Sequence, residues 1–83
     1  DLVGRLLRSV ARHTQVICVT NAPQVAALGH NHLRVRKDDD QDTLIDALAP
    51  ESRVEELARM LAGADITEKS RDYARTLLDE AVE

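Results

Sequence analysis

The 83-residue chain contains no Phe and no Trp, and only one Tyr and one Cys. One cysteine excludes an internal disulfide framework and suits a reducing compartment. Without large aromatic rings each buried side chain removes less surface from water, at about 25 cal/mol per Å². A chain this short holds at most one small domain, so its Leu, Ala, Val and Ile must pack closely or use surface supplied by a partner. No apolar run approaches the roughly 20 residues of a bilayer span, so no membrane partner is expected. A basic, apolar, small-residue leader is not read either, and the start at Asp1 rather than Met leads us to expect a natural N-terminus upstream. A basic excess is missing as well: residues 1–37 carry +5 and residues 38–83 carry −9, for a net −4. A free-standing nucleic-acid module draws most of its affinity from positive charge, so that class is disfavoured.

What is present reads as an α/β pattern. Leu2, Val3, Leu6, Leu7 and Val10 recur at helical spacing over residues 2–12, with Arg5, Arg8, Ser9 and Arg12 opposite. His13-Thr14 ends that pattern. Gln15-Val16-Ile17-Cys18-Val19-Thr20 follows, an apolar, β-branched run without polar alternation, as in a strand covered on both faces. Such a strand needs neighbours of its own kind, and the chain offers none. His30 to Lys37 alternates, Leu33 and Val35 against His32, Arg34 and Arg36, as a half-exposed strand does. The Asp38-Asp39-Asp40-Gln41-Asp42 run is a solvated turn, and Thr43 to Leu48 returns as the second arm of a hairpin. Pro50 and Glu51 open a helix carrying Val54, Leu57, Ala58 and Leu61, and Gly63 stops it. Thr67 caps a last helix whose Tyr73, Ala74, Leu77, Leu78 and Ala81 share a face, and the two helices pair as an αα-hairpin. The orphan strand implies a piece of a larger α/β domain, or a chain completed by another.

Several groups of residues invite a chemical reading. Thr20-Asn21-Ala22-Pro23-Gln24 lies where the apolar strand passes into a short helix, Pro23 to Leu28. Ligands of α/β sheets bind at the carboxyl ends of strands, but from local features alone these residues read first as a plain strand-to-helix turn capped by Thr20 or Asn21. Cys18 with His13, His30 and His32 fits no zinc spacing, and Cys18 reads as a small buried hydrophobe. His30-Asn31-His32 spells a nuclease motif without its metal-binding ββα context. The Asp38–Asp42 run lacks the Gly and distal Glu of a calcium loop, so no metal site is expected. Glu51, Glu55, Glu56 and Arg59 occupy the polar side of their helix, with Glu55 and Arg59 at pairing distance in sequence. No phosphate-binding Gly-rich loop, nucleophile elbow or framed carboxylate pair occurs.

The segment Gln15-Val-Ile-Cys-Val-Thr-Asn-Ala-Pro-Gln-Val-Ala-Ala-Leu-Gly-His30 resembles the C-terminal end of the bacterial RecN family, SMC-like members of the ABC-type ATPases. The likeness continues through His32-Leu-Arg-Val-Arg-Lys37, Arg53-Val-Glu-Glu-Leu-Ala-Arg-Met-Leu-Ala-Gly63, Ile66-Thr67 and Tyr73-Ala-Arg-Thr-Leu-Leu78, which is nearly the whole chain. The resemblance implies the C-terminal fragment of a P-loop, ABC-type ATPase head: helix, buried strand, short helix, β-hairpin, two C-terminal helices. Residues 1–83 would be a single partial domain, 1–49 its α/β part and 50–83 its helical hairpin.

The implied parent acts in DNA double-strand break repair and recombination within the SOS response, in the cytoplasm at the nucleoid. Its partners are the rest of the head, a second head in a homodimer, and DNA; read from charge, any DNA contact of this chain would favour the basic half, including Arg34, Arg36 and Lys37, which otherwise simply solvate an exposed strand face. Its cofactors are ATP and magnesium. None is expected on this segment alone, because the Walker A, signature and Walker B motifs are absent from it. The family places a switch histidine after this strand, in a Thr-His-Leu-Pro-Gln pattern, and the matching position here is Asn21, with Thr20, Pro23 and Gln24 shaping the turn. An amide donates a hydrogen bond but takes up no proton. The acidic segment 38–46 also departs from the basic, Thr/Arg-rich hairpin of the family. A dimerising adaptor derived from such a head, without catalysis, is the other reading.

Overall fold

The computed structural model describes residues 1–82; Glu83, the last residue of the expected helical hairpin, lies outside them. Six elements follow one another: α1 (Leu2–Val10), α2 (Pro23–Ala26), β1 (Leu33–Lys37), β2 (Thr43–Ala47), α3 (Pro50–Ala62) and α4 (Glu68–Ala81).

The two long helices form for the reasons the sequence suggests. Pro50 sits in the first turn of α3, where its missing N–H has no partner to lose, and Gly63 ends the helix at φ 69°, a backbone that side chains with a Cβ rarely adopt. Thr67 caps α4: its hydroxyl accepts the Ser70 amide at 3.1 Å while the Ser70 hydroxyl accepts the Thr67 amide at 2.9 Å. Their facing sides make the core, with Val54, Leu57 and Ala58 of α3 against Ala74 of α4, and Leu61, Leu77 and Leu78 around them. Tyr73 is half exposed rather than on the buried face, because the apolar stripe of α4 is centred on Ala74, Leu77 and Ala81. The end of α2 closes this core through Ala26 and Ala27.

The acidic side of α3 also differs from expectation. Glu56 is only 7% exposed and pairs with Arg59, Oε1 to Nε and Oε2 to Nη2, both at 2.7 Å. Glu55 reaches Arg71 of α4 at 2.6 Å instead of Arg59. Burial at the edge of the helix pair therefore selects the i,i+3 partner and leaves Glu55 to bridge the helices.

β1 and β2 form a two-stranded antiparallel sheet in which Leu33 faces Ala47, Val35 faces Ile45 and Arg34 faces Asp46. The five-residue return is held by Asp38, whose carboxylate accepts the amides of Asp40 and Asp42 at 3.0 and 2.9 Å. Gln41 takes φ 65° to complete it. The apolar row Leu33, Val35 and Ile45 is exposed, while Arg34 and Arg36 both bind Asp46, at 3.0 and 2.7 Å.

Residues 15–20 overturn one expectation. They form no helix or strand and belong to no sheet, with Ile17 82% and Val19 97% exposed, and Cys18 is exposed rather than a buried hydrophobe. The reason is the missing neighbour: an apolar segment that finds no strand to pair with stays unpaired and uncovered. α1 is turned the same way. Its Leu2, Val3, Leu6 and Val10 face outward, and Gly4 is the buried residue, pressed so closely on α2 that an added Cβ would stand 2.5 Å from Leu28 Cδ1. The arginine side of α1 faces the protein, Arg5 donating to the Glu80 carbonyl at 2.6 Å.

Candidate functional site

The turn between residues 15–20 and α2 is set by a local hydrogen bond. The Thr20 hydroxyl accepts the Ala22 amide at 3.0 Å, a local turn that sets the direction of the chain. Ala22 is the N-cap residue of α2 and offers no side-chain cap, and Pro23 occupies the first turn. Asn21 and Gln24 are exposed, whereas Thr20 and Pro23 are partly covered. Thr20, Asn21, Pro23 and Gln24 thus lie together on one short connection, with Thr20 hydrogen-bonded within it, Pro23 opening α2 and Asn21 exposed.

This turn makes no cradle for a triphosphate or for magnesium. The one hydroxyl in it is committed to a backbone amide, and α2 is a single turn whose first position is a proline. Either group would have to be held by residues other than these. The carboxylates of Asp38, Asp40 and Asp42 come within 4.8 Å of one another at the hairpin tip. There the Asp38 carboxylate is already engaged by two amides, which accounts for the cluster as a turn.

Behind the turn lies an arrangement that sequence reasoning missed. From α3, Arg53 Nη2 stands 3.0 Å from the Ala26 carbonyl, 3.3 Å from that of Ala27 and 2.5 Å from that of Gly29. From α1, Arg8 Nη1 donates to the Leu28 carbonyl at 2.5 Å. The Val25 and Ala26 carbonyls at the end of α2 already accept the Leu28 and Gly29 amides at 3.1 and 3.2 Å, and cationic donors are favoured at that negative end. Burial lowers the Arg53 pKa, with the nearby Arg8 charge adding to the effect. Its Nε and the Nδ1 of His32 are buried without a hydrogen-bond partner among the described residues. Burial, then the Arg53 charge, holds His32 below its ordinary value, so the ring favours the neutral form. His32 and Arg53 border an open hollow of about 470 Å³ with His30, Arg75 and Asp79. The only sequence signal for Arg53 is its place at the head of the second long family-like block.

Among the described residues no helix is long and apolar enough to cross a membrane. No family model matches the chain. Curated DNA repair proteins RecN do match it. The chain is 44% identical over its whole length to the protein of Xylella fastidiosa, covering 15% of that relative. It is 43% identical over 95% of its length to that of Haemophilus influenzae, covering 15%, and 46% identical over 95% of its length to that of Mycobacterium tuberculosis, covering 14%. The chain therefore spans about 15% of the length of the curated relatives it matches.

Proposed function

From a chain that belongs by sequence with the RecN DNA repair proteins, we propose a closing segment of an ATP-dependent DNA repair protein. It supplies structure to the nucleotide-binding head together with one nucleotide-facing position, Asn21. The single observation that carries this reading is the uncovered edge at residues 15–20: Ile17 and Val19 stand in solvent in a segment whose composition suits the middle of a parallel sheet. The outward apolar side of α1 belongs to the same uncovered surface. Strands from the rest of the head would pair with residues 15–20 and cover both, bringing the Thr20–Ala22 turn to the end of a completed sheet, where α/β proteins bind ligands.

In this reading the segment holds neither ATP nor magnesium by itself. Asn21 occupies the place where the family pattern has histidine. Its amide donates a hydrogen bond and cannot accept a proton, which weakens hydrolysis while allowing nucleotide-driven closure.

Two measurements test the proposal. A fluorescent ATP analogue with magnesium binds the complete protein that carries this sequence and not the 83-residue chain alone, which self-associates on size exclusion through its apolar surface. Asn21→His raises ATP turnover of the complete protein about tenfold or more. ATP binding by the chain alone contradicts the reading. A discrete, cooperatively melting dimer favours the adaptor instead.

A further inference from the structure

We infer that Arg53 is the positioning residue through which the helical hairpin sets the Thr20–Ala22 turn, so that movement of α3 moves Asn21. This rests on the reading of that turn as nucleotide-facing. A single-turn helix has too few internal hydrogen bonds to hold itself, because nucleation fixes several residues for one bond. α2 has four residues and no side-chain cap at its start. Its C-terminal end therefore decides where its first residue lies, and that end is gripped from outside. Arg53 reaches three carbonyls, those of Ala26, Ala27 and Gly29, across 24 to 27 positions of sequence.

The rest of the grip is the apolar packing of Ala26 and Ala27 on the helix pair, which fixes no direction along the chain, and contacts to α1. Arg8 holds the Leu28 carbonyl, and Leu28 packs on Gly4. Both of these contacts join α2 to α1, an element that exposes its own apolar side. Arg53 alone of these donors joins α2 to the well-packed helix pair, one residue from buried Val54. All three carbonyls are served by the one nitrogen Nη2, whose two hydrogens they share, and a lysine, a compact charge on a different stem, is expected to restore the tether only in part.

Amide hydrogen exchange on the complete protein, read by mass spectrometry, tests the inference in the parent, Arg53→Met and Arg53→Lys. Arg53→Met is expected to speed exchange across Thr20–Gly29 about tenfold or more, with Arg53→Lys between the two and the α4 peptide Tyr73–Ala81 unchanged within about twofold. Two results overturn it: exchange over Thr20–Gly29 that stays within about twofold in Arg53→Met, or an equal rise in α4 in both variants, which makes Arg53 a general support of the fold. Adding ATP and magnesium to the parent separates this from the nucleotide reading. Absence of protection at Thr20–Ala22 defeats that reading and leaves the Arg53 tether to stand on the variant data.

Discussion

The helical hairpin and the first twenty residues treat the same kinds of side chain in opposite ways. In α3 and α4 the apolar residues turn inward, Leu57, Ala58 and Ala74 having no exposure at all, and most charged groups pair at the surface. In residues 1–20 two arginines turn inward onto carbonyls, while Leu2, Val3, Leu6, Val10, Ile17 and Val19 face solvent. Amphipathic patterning is as regular in α1 as in α3, so the pattern does not decide the outcome. The partner does. α3 and α4 bring each other matching faces, whereas α1 and residues 15–20 have apolar surface with no counterpart among the described residues.

The sharpest way to break this comparison is to cut into each region. Leu57→Ala removes a fully buried side chain and is expected to lower unfolding stability by about 2–5 kcal/mol, read by denaturant titration. Thr67→Ala removes the α4 cap and is expected to lower stability by about 1 kcal/mol in the same titration. A pH series places His32 within the comparison. Its folded pKa is depressed by burial, so the unfolded chain binds the proton more readily. Stability is then fully present above about 6.5, the ordinary histidine value, and falls as the pH drops through the interval between that and the lower folded value; His32→Gln flattens this slope. Ile17→Ser is the smallest expected change: within about 0.5 kcal/mol in the chain alone, since its side chain is already hydrated. If Ile17→Ser is as damaging as Leu57→Ala in the chain alone, the contrast between the regions is wrong.

The parts of the fold decided by local chemistry were legible beforehand. Pro50, Gly63 and Thr67 act at helix ends through their own backbone or hydroxyl, and Leu33 and Val35 alternate on a strand whatever lies beyond it. The parts decided by distant surfaces were not. Periodicity finds the apolar side of α1 but not whether anything covers it. A continuous run at Val16–Val19 suits a buried strand, yet pairing depends on neighbours outside these residues. The exchange of ion-pair partners on α3 depends on α4, which brings Arg71 to Glu55. Arg53 is the clearest case: nothing in its spacing separates it from a solvated arginine, because its role depends on where α2 happens to end. At the turn itself, Thr20 and Pro23 behave as their residue types suggest, and Asn21 stands exposed between them.

The central claim is that residues 15–20 are a strand waiting for a sheet. Amide exchange at Val16 to Val19, measured in the chain alone and in the complete protein, tests it most directly. The account predicts near-random-coil exchange in the chain alone and protection close to that of α3 in the complete protein. Equal, strong protection of those four amides in the monomeric chain would contradict it, as would their free exchange in both.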